Sequence, residues 1–254
     1  MGSTHEFDDE TGSFRMLGVP YIEFLHELHR QLSPRTYLEV GTESGASLAV
    51  ADCDAIAVDP QFQLEFSATG GRKRTFFFQM ASDAFFATEN AGALLGRPLD
   101  MVFLDGMHRF EFLVRDLIGA ESACHARSLI LVHDCIPLNA RMARRQWLPG
   151  SPAERETAGF WTGDVWKIVP ILRKFRPDLR VHVFDCPPTG LVAISRVNPA
   201  SRTLADGYYD IVDQFSSTTL DDRQLRSLWD DLDLIDSRPL VDEPDRLTEL
   251  FSLY

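Results

Sequence analysis

Tyr37-Leu-Glu-Val-Gly-Thr-Glu-Ser-Gly-Ala-Ser47, with Ala55-Ile-Ala-Val-Asp-Pro60 shortly after it, reads as two buried strands separated by a glycine-bearing turn. The first apolar run carries Glu39 next to its end and passes through Gly41 and Gly45 into the expected start of a helix; the second run ends on Asp59. Without a Cβ at Gly41 and Gly45, the backbone can approach a ligand closely. Asp59 lies 20 residues beyond Glu39, where a strand-end carboxylate can accept hydrogen bonds from ribose hydroxyls. The stretch predicts the nucleoside-binding edge of a parallel sheet.

A dinucleotide site normally carries G-x-G-x-x-G, whose close glycines admit a pyrophosphate to a helix N-terminus. Here the spacing is G-x-x-x-G, with Glu43 inside the turn and Glu39 before it, so two carboxylates would face any phosphate. A cationic ligand fits better, and a nucleotide-dependent oxidoreductase fits poorly. E-x-G-x-x-x-G followed by a strand-end acid resembles the cofactor motifs of class I S-adenosylmethionine (SAM) methyltransferases, whose sulfonium ligand carries an amino group and no phosphate. The plain alternative is a strand-turn-helix connection that holds no ligand.

With 254 residues, 44% of them hydrophobic, the chain can bury one substantial core. No apolar run approaches the roughly 18 residues of a membrane span, and the polar start has no signal-peptide core, so a cytoplasmic protein without a membrane partner is expected. Cys53, Cys124, Cys135 and Cys186 form no C-x-x-C pair, which argues for reduced thiols over a zinc site or disulfides. The net charge of −13 is concentrated at the end: from Ala205 to Tyr254 there are 13 acids against 4 arginines. Neither that tail nor the nearly balanced remainder offers the basic field that nucleic acid needs.

Apolar periodicity predicts a helix over 19–32, with Ile22, Leu25 and Leu28 on one face, and strands over 36–40, 55–58, 75–79, 100–104 and 128–132. Between the last two, Phe112, Leu113, Asp116, Leu117 and Ala120 follow helical spacing. After an irregular Arg- and Trp-rich stretch, a helix capped by Gly163-Asp164 and two more strands, 180–184 and 190–195, bring the count to seven. This alternation means an α/β fold, a mostly parallel sheet with helices on both faces. Three regions are expected: an N-terminal extension and first helix at 1–35, a cofactor-binding domain at 36–200 with an insertion at about 139–166, and an acidic extension at 201–254. The extension carries one amphipathic helix over 220–234, expected to pack on the body or on a partner subunit, and homo-oligomerisation is left open.

Ligands of open parallel sheets bind beyond the carboxyl ends of the strands. The residues there are polar: Ser82-Asp83 after the third strand, Asp105-Gly-Met-His108 after the fourth, His133-Asp134 after the fifth. Phe-Leu-Asp-Gly-x-His resembles a branch of the class I enzymes comprising small-molecule O-methyltransferases, among them macrolide-sugar and rhamnosyl methyltransferases, with cephalosporin-hydroxylase-like relatives. The resemblance covers roughly residues 37–134 and implies the Rossmann-like methyltransferase sheet with an antiparallel last strand. It implies SAM held by Glu39, Gly41, Gly45, Asp59 and Asp105, with Asp83 accepting from the adenine amino group. It further implies Asp105 and Asp134 as ligands of a magnesium-type divalent cation, and His108 as general base.

Elementary chemistry agrees, since a hard cation takes carboxylate oxygens and an imidazole that titrates near neutrality can accept a hydroxyl proton. Several positions keep a second reading. Asp105 could cap a helix, Asp83 or Ser82 likewise, and His108 could be an exposed loop residue. His133 departs from the branch, which commonly has an acid or amide there; it could ligate, act as a second base, or only hydrogen-bond, and it weakens the case for magnesium. The aromatic run from Phe160 to Trp166 is a candidate wall of the acceptor pocket or an apolar helix face. Arg141, Arg144 and Arg145 could meet an anionic acceptor or solvent. The expected activity is methyl transfer to a hydroxyl of a small molecule, with a sugar or glycosylated metabolite as candidate; the rival is a noncatalytic SAM-binding or assembly protein of the same fold.

Overall fold

A computed structural model describes residues 3–147, 161–243 and 245–254. The chain starts with a hairpin, β1 (His5–Asp8) and β2 (Ser13–Met16), and then α1 (Tyr21–Leu32). The first strands of the main sheet are β3 (Thr36–Val40), β4 (Asp54–Val58) and β5 (Thr75–Phe78). After α2 (Ser82–Thr88) and α3 (Ala91–Leu95) come β6 (Leu99–Leu104), α4 (Phe110–Ala123) and β7 (Cys124–His133). α5 (Ile168–Phe175), β8 (Arg180–Phe184) and β9 (Leu191–Ser195) follow. The tail holds α6 (Thr203–Asp206), α7 (Tyr208–Ser216), α8 (Asp222–Asp231), β10 (Leu234–Ile235), α9 (Arg238–Asp242) and α10 (Arg246–Leu250).

The sheet order is β10-β8-β9-β7-β6-β3-β4-β5, with only β9 antiparallel to its neighbours. From β3 the chain steps outward through β4 to β5, then crosses back to place β6 on the other side of β3. The order reverses between β3 and β6, and this is where an open α/β sheet forms a ligand crevice. Period-2 alternation of the strand residues divides the core between two faces. Leu38, Val40, Ile56, Val102, Leu104, Ile130 and Val132 pack with α4 and α5 on one side. Tyr37, Ala55, Ala57, Met101, Phe103, Leu129 and Leu131 pack with α1 on the other.

Three expectations need correction. Among the described residues the sheet has eight strands where seven were expected, because the dipeptide Leu234–Ile235 adds a parallel edge strand to β8; two apolar residues in an acidic tail are too short a signal to read. The predicted tail helix accordingly shortens to α8, begun by a capping box between Asp221 and Gln224. The turn after β3 opens no α-helix: Glu43 (φ 43°) and Gly45 (φ 82°) are left-handed, and only a 3-10 turn at Leu48–Val50 follows.

The tail folds onto the body. Leu204, Ile211, Leu225 and Trp229 join the α4 side of the core, and Leu240, Leu247, Phe251 and Leu253 join the α1 side. Trp229 also anchors the hairpin: Phe14 stacks on it at 4.2 Å, and its indole N–H donates to the Pro137 carbonyl at 2.9 Å.

Candidate active site

The site is assembled at the β3/β6 switch point. Gly41 N–H donates to the Val58 carbonyl and Asp105 N–H to the Val40 carbonyl, both at 2.9 Å, locking the ends of β4, β3 and β6 together. A Cβ on Gly41, at φ 86°, would lie 1.9 Å from the Asp105 carbonyl oxygen. The glycine is therefore required by the neighbouring backbone as well as by its dihedral, a reason different from the close approach to a ligand expected of it. Gly45 conforms better to that expectation: a Cβ there would meet only the end of the Leu64 side chain, at 3.1 Å.

Asp59 closes the same turn. Its two oxygens accept the Glu43 N–H at 2.8 Å and the Gln61 N–H at 2.7 Å, tying the glycine loop to the end of β4. Glu39 is fully buried and accepts the Tyr37 hydroxyl at 2.7 Å. Its Oε1 and the nearby Thr42 hydroxyl have no hydrogen-bond partner, the unmet polar demand that an amino group on a cationic ligand would satisfy.

Burial pushes the Glu39 carboxyl up to about 7. With the folded value raised above the ordinary 4.5, the folded protein holds the proton more tightly than the unfolded chain. Stability should then fall as pH rises from 4.5 to about 7 and level off above it. The expected amplitude is about 3 kcal/mol. Urea titrations of Glu39→Gln, which keeps an acceptor for Tyr37, should show that slope flattened and the variant more stable than wild type at pH 8; an unchanged pH profile would refute the assignment.

Asp105, His108, His133 and Asp134 converge across the ends of β6 and β7. His108 Nε2 is 3.0 Å from Asp134 Oδ2 and 3.7 Å from Asp105 Oδ1; His133 Nδ1 is 3.3 Å from Asp105 Oδ2 and 3.6 Å from Asp134 Oδ1. Asp105, His108 and Asp134 each present a donor atom within 4.8 Å of the others, which suits one metal ion. Burial alone would raise the Asp105 carboxyl, but the His133 and His108 imidazoles hold it below the usual carboxylate range. Conversely, burial would lower both imidazoles, and the carboxylates override it, raising His133 and pushing His108 up to about 9. Against the expectation that His108 titrates near neutrality, the two carboxylates hold its imidazole above the ordinary range.

His108 is held in one orientation. Its Nδ1–H donates to the Trp161 carbonyl at 2.6 Å, so Nε2 is the nitrogen that faces the acids. A Cβ on Gly163 would fall 1.8 Å from the His108 carbonyl oxygen, and Asp164 N–H donates to that same oxygen at 3.3 Å. Asp164 does not cap its own helix. Its carboxylate instead takes the Phe110 N–H at 2.9 Å, at the start of α4, and binds Arg145 and the buried Lys167, both at 3.0 Å. Trp161 to Asp164 therefore clamp the His108 loop, and Arg145 belongs to that clamp through Asp164 and Glu111. Phe160 and 148–159 of the predicted insertion lie outside the described residues.

Asp83 is exposed at the start of α2, where both its oxygens are taken by Arg115, at 2.7 and 2.8 Å. An adenine contact there would have to share an oxygen with that guanidinium. A buried acid almost two turns into α4, Asp116, lies nearer the crevice: its Oδ2 is 3.5 Å from where a Gly106 Cβ would be, and burial pushes its carboxyl up to about 7.

Two contributors carry no sequence signal of their own. Tyr21, in the first turn of α1, packs against His133 with ring centroids 3.9 Å apart and the ring planes tilted by 30°; only the helical face of Ile22, Leu25 and Leu28 was legible there. Thr189 donates its hydroxyl to Asp134 Oδ1 and steadies a residue at φ 57°, a left-handed strain of about 1 kcal/mol that clusters at functional sites. The Pro187-Pro188-Thr189-Gly190 turn could have marked this loop, but not its partner.

No family model matches the sequence, and no curated protein matches it. Among solved structures, the chain is similar to the O-methyltransferase TomG from Streptomyces achromogenes, involved in tomaymycin synthesis and solved with SAM. That match has 18% identity and a TM-score of 0.49 over 72% of this chain and 82% of that one. It is similar to an O-methyltransferase from Bacillus cereus in complex with SAH, with 12% identity and a TM-score of 0.45 over 76% and 84% of the two chains. A third is the SAH-bound methyltransferase PaMTH1 of Podospora anserina, with 15% identity and a TM-score of 0.46 over 78% and 100%. Each is a likeness of architecture alone.

Proposed function

We propose that the protein transfers a methyl group from SAM to a hydroxyl of a small molecule, with a divalent cation at Asp105 and Asp134. The observation that carries this reading is the meeting, at one switch point, of a phosphate-averse acidic turn with an Asp-His-His-Asp cluster in which His133 and Asp134 are buried and Asp105 and His108 half-buried. Glu39, with its unpaired oxygen, suits the amino group of SAM, the Gly41–Gly45 turn its chain, and Asp59 its ribose; Asp83 reaches adenine only by sharing an oxygen with Arg115. SAM, when bound, supplies an electrophilic methyl carbon.

The chain's own residues supply alignment and proton transfer. Asp105 and Asp134 would hold the cation, which would polarise the acceptor hydroxyl as a Lewis acid. His108 would accept the hydroxyl proton at Nε2 while its Nδ1–H stays on the Trp161 carbonyl, and a positive charge between the two carboxylates would offset the field that raises its imidazole. His133, deeper and packed against Tyr21, is the alternative proton acceptor. A sugar or glycosylated metabolite is the acceptor class favoured by the Asp-Gly-x-His resemblance.

The test is calorimetry of SAM and SAH with chelator-treated protein, then a panel of hydroxylated acceptors with and without Mg²⁺ or Mn²⁺. SAH binding with cation-dependent transfer supports the reading, and no SAH binding under any condition overturns it. Asp59→Ala should weaken SAM by about one to two decades, the loss of a charge-assisted hydrogen bond; unchanged affinity would remove the ribose assignment.

A further inference from the structure

We propose that the edge of the sheet opposite the active site carries a seat for a phosphate monoester, with the phosphate among Arg127, Arg180 and Arg196 and the esterified body in the adjoining cavity beside His182. Topology gathers the three arginines. β7 and β8 both run toward the active site, so Arg127 and Arg180 stand near their starts. β9 runs the other way, so Ser195, which pairs with Arg180, and Arg196 after it arrive at the same edge. The length of β7 puts that edge about 20 Å from Asp134.

The three arginines line one cavity of about 250 Å³, covered by Leu250, Phe251 and Ser252 of the C-terminal segment; among the described residues no carboxylate side chain lines it. None of the three guanidiniums has a hydrogen-bond or ion-pair partner among the described residues. In a chain of net charge −13, where Arg74, Arg115, Arg145, Arg176 and Arg238 each hold a carboxylate, three unpaired arginines around one hollow present an unmet demand for an anion. Arg196 is also left-handed, at φ 61°, a conformation that non-glycine residues keep only where their surroundings impose it. A phosphate monoester carries up to two negative charges and three terminal oxygens to share among three planar guanidinium forks, whereas a single carboxylate has one charge and two oxygens.

Arg180 and Leu250 also border a second cavity, of about 630 Å³, walled by Val183, Ile235 and Leu240. That volume suits a small-molecule body. His182 lines it, is only 7% exposed, and its Nε2 has no hydrogen-bond partner, a buried polar atom of the kind that a ligand satisfies. Burial, then the Arg180 charge, hold its imidazole below the ordinary range, so the ring offers a hydrogen bond and not a further charge. The other arginines of this cavity are occupied, Arg246 by Glu249 at 2.5 Å and Arg173 by the Asp231 carbonyl at 3.3 Å. With Asp233 and Glu249 in its wall, the second cavity disfavours an anion and takes the uncharged body.

Calorimetry of the full chain, chelator-treated and at constant ionic strength, tests the seat with inorganic phosphate, glucose 6-phosphate, phenyl phosphate and citrate. Phosphate should bind, at least one of the two esters at least about tenfold more tightly, and saturating SAH should leave these affinities unchanged. Arg196→Gly, which relieves the left-handed strain and so keeps the fold, and Arg180→Gln should each weaken phosphate at least about tenfold, the loss of a charge-assisted contact. His182→Phe, which keeps a ring against Phe184 and Phe251, should remove the advantage of the ester and leave phosphate unchanged. Failure of phosphate to bind, competition with SAH, unchanged phosphate affinity in Arg196→Gly, or citrate binding more tightly than either ester would overturn the proposal. Esters that bind no more tightly than phosphate, or an advantage that survives in His182→Phe, would overturn the seat beside His182. The seat does not depend on the methyltransferase reading, which SAH binding tests separately.

Discussion

Replacing His108 by alanine should lower methyl transfer by about two to four decades while SAH affinity stays within about threefold, because a proton acceptor acts in the transition state and not in cofactor binding. The wild-type rate should rise with pH up to the loaded enzyme's His108 value. In the ion-free protein that imidazole sits at about 9, raised by Asp105 and Asp134, so added cation should move the rising limb to lower pH. The sign is fixed by the electrostatics, since a positive charge beside the carboxylates cancels the field that stabilises the imidazolium. Initial rates over a pH series, with and without the cation, measure both effects. A rate unchanged in His108→Ala would transfer the proton-accepting role to His133, and an unshifted limb would separate the cation from His108.

Gly41→Ala should cost about 3 to 5 kcal/mol and abolish SAH binding. Two penalties combine: about 1 to 3 kcal/mol for a left-handed non-glycine residue and a similar amount for overpacking. The clash, 1.9 Å from the Asp105 carbonyl oxygen, is with backbone and cannot be relieved by a rotamer change. Gly45→Ala is the control, because its Cβ would meet only a flexible leucine end at 3.1 Å; about 1 kcal/mol from its φ of 82° is expected there. Urea midpoints of the two variants give the comparison. Equal, small losses would mean that the β3/β6 junction yields more easily than its hydrogen bonds imply.

The near-continuous apolar runs that made β3, β4 and β6 legible are the ones buried on both faces, where the hydrophobic demand leaves little freedom of sequence. The strand-end acids were legible for a related reason: a carboxylate directly after a buried strand has few structural uses. Their partners were not. Asp83 reads as a pocket acid until Arg115 from α4 takes both its oxygens, and Asp164 reads as a local cap until its carboxylate is found at the start of α4. The turn after β3 illustrates the same limit, since G-x-x-x-G is compatible with a helix start, while two left-handed residues and the Asp59 contacts settle it as a loop with a 3-10 turn.

Local pattern alone determined the α/β class, the parallel strands and the residues standing at their ends, because periodicity and burial act on neighbours in the chain. Tertiary structure decided that Tyr21 lies on His133, that Thr189 holds Asp134, that Trp161 orients His108, and that the acidic tail covers both faces of the sheet. Those contacts join segments far apart in sequence, and a single hydrogen bond or ring contact leaves no periodic trace from which to read it.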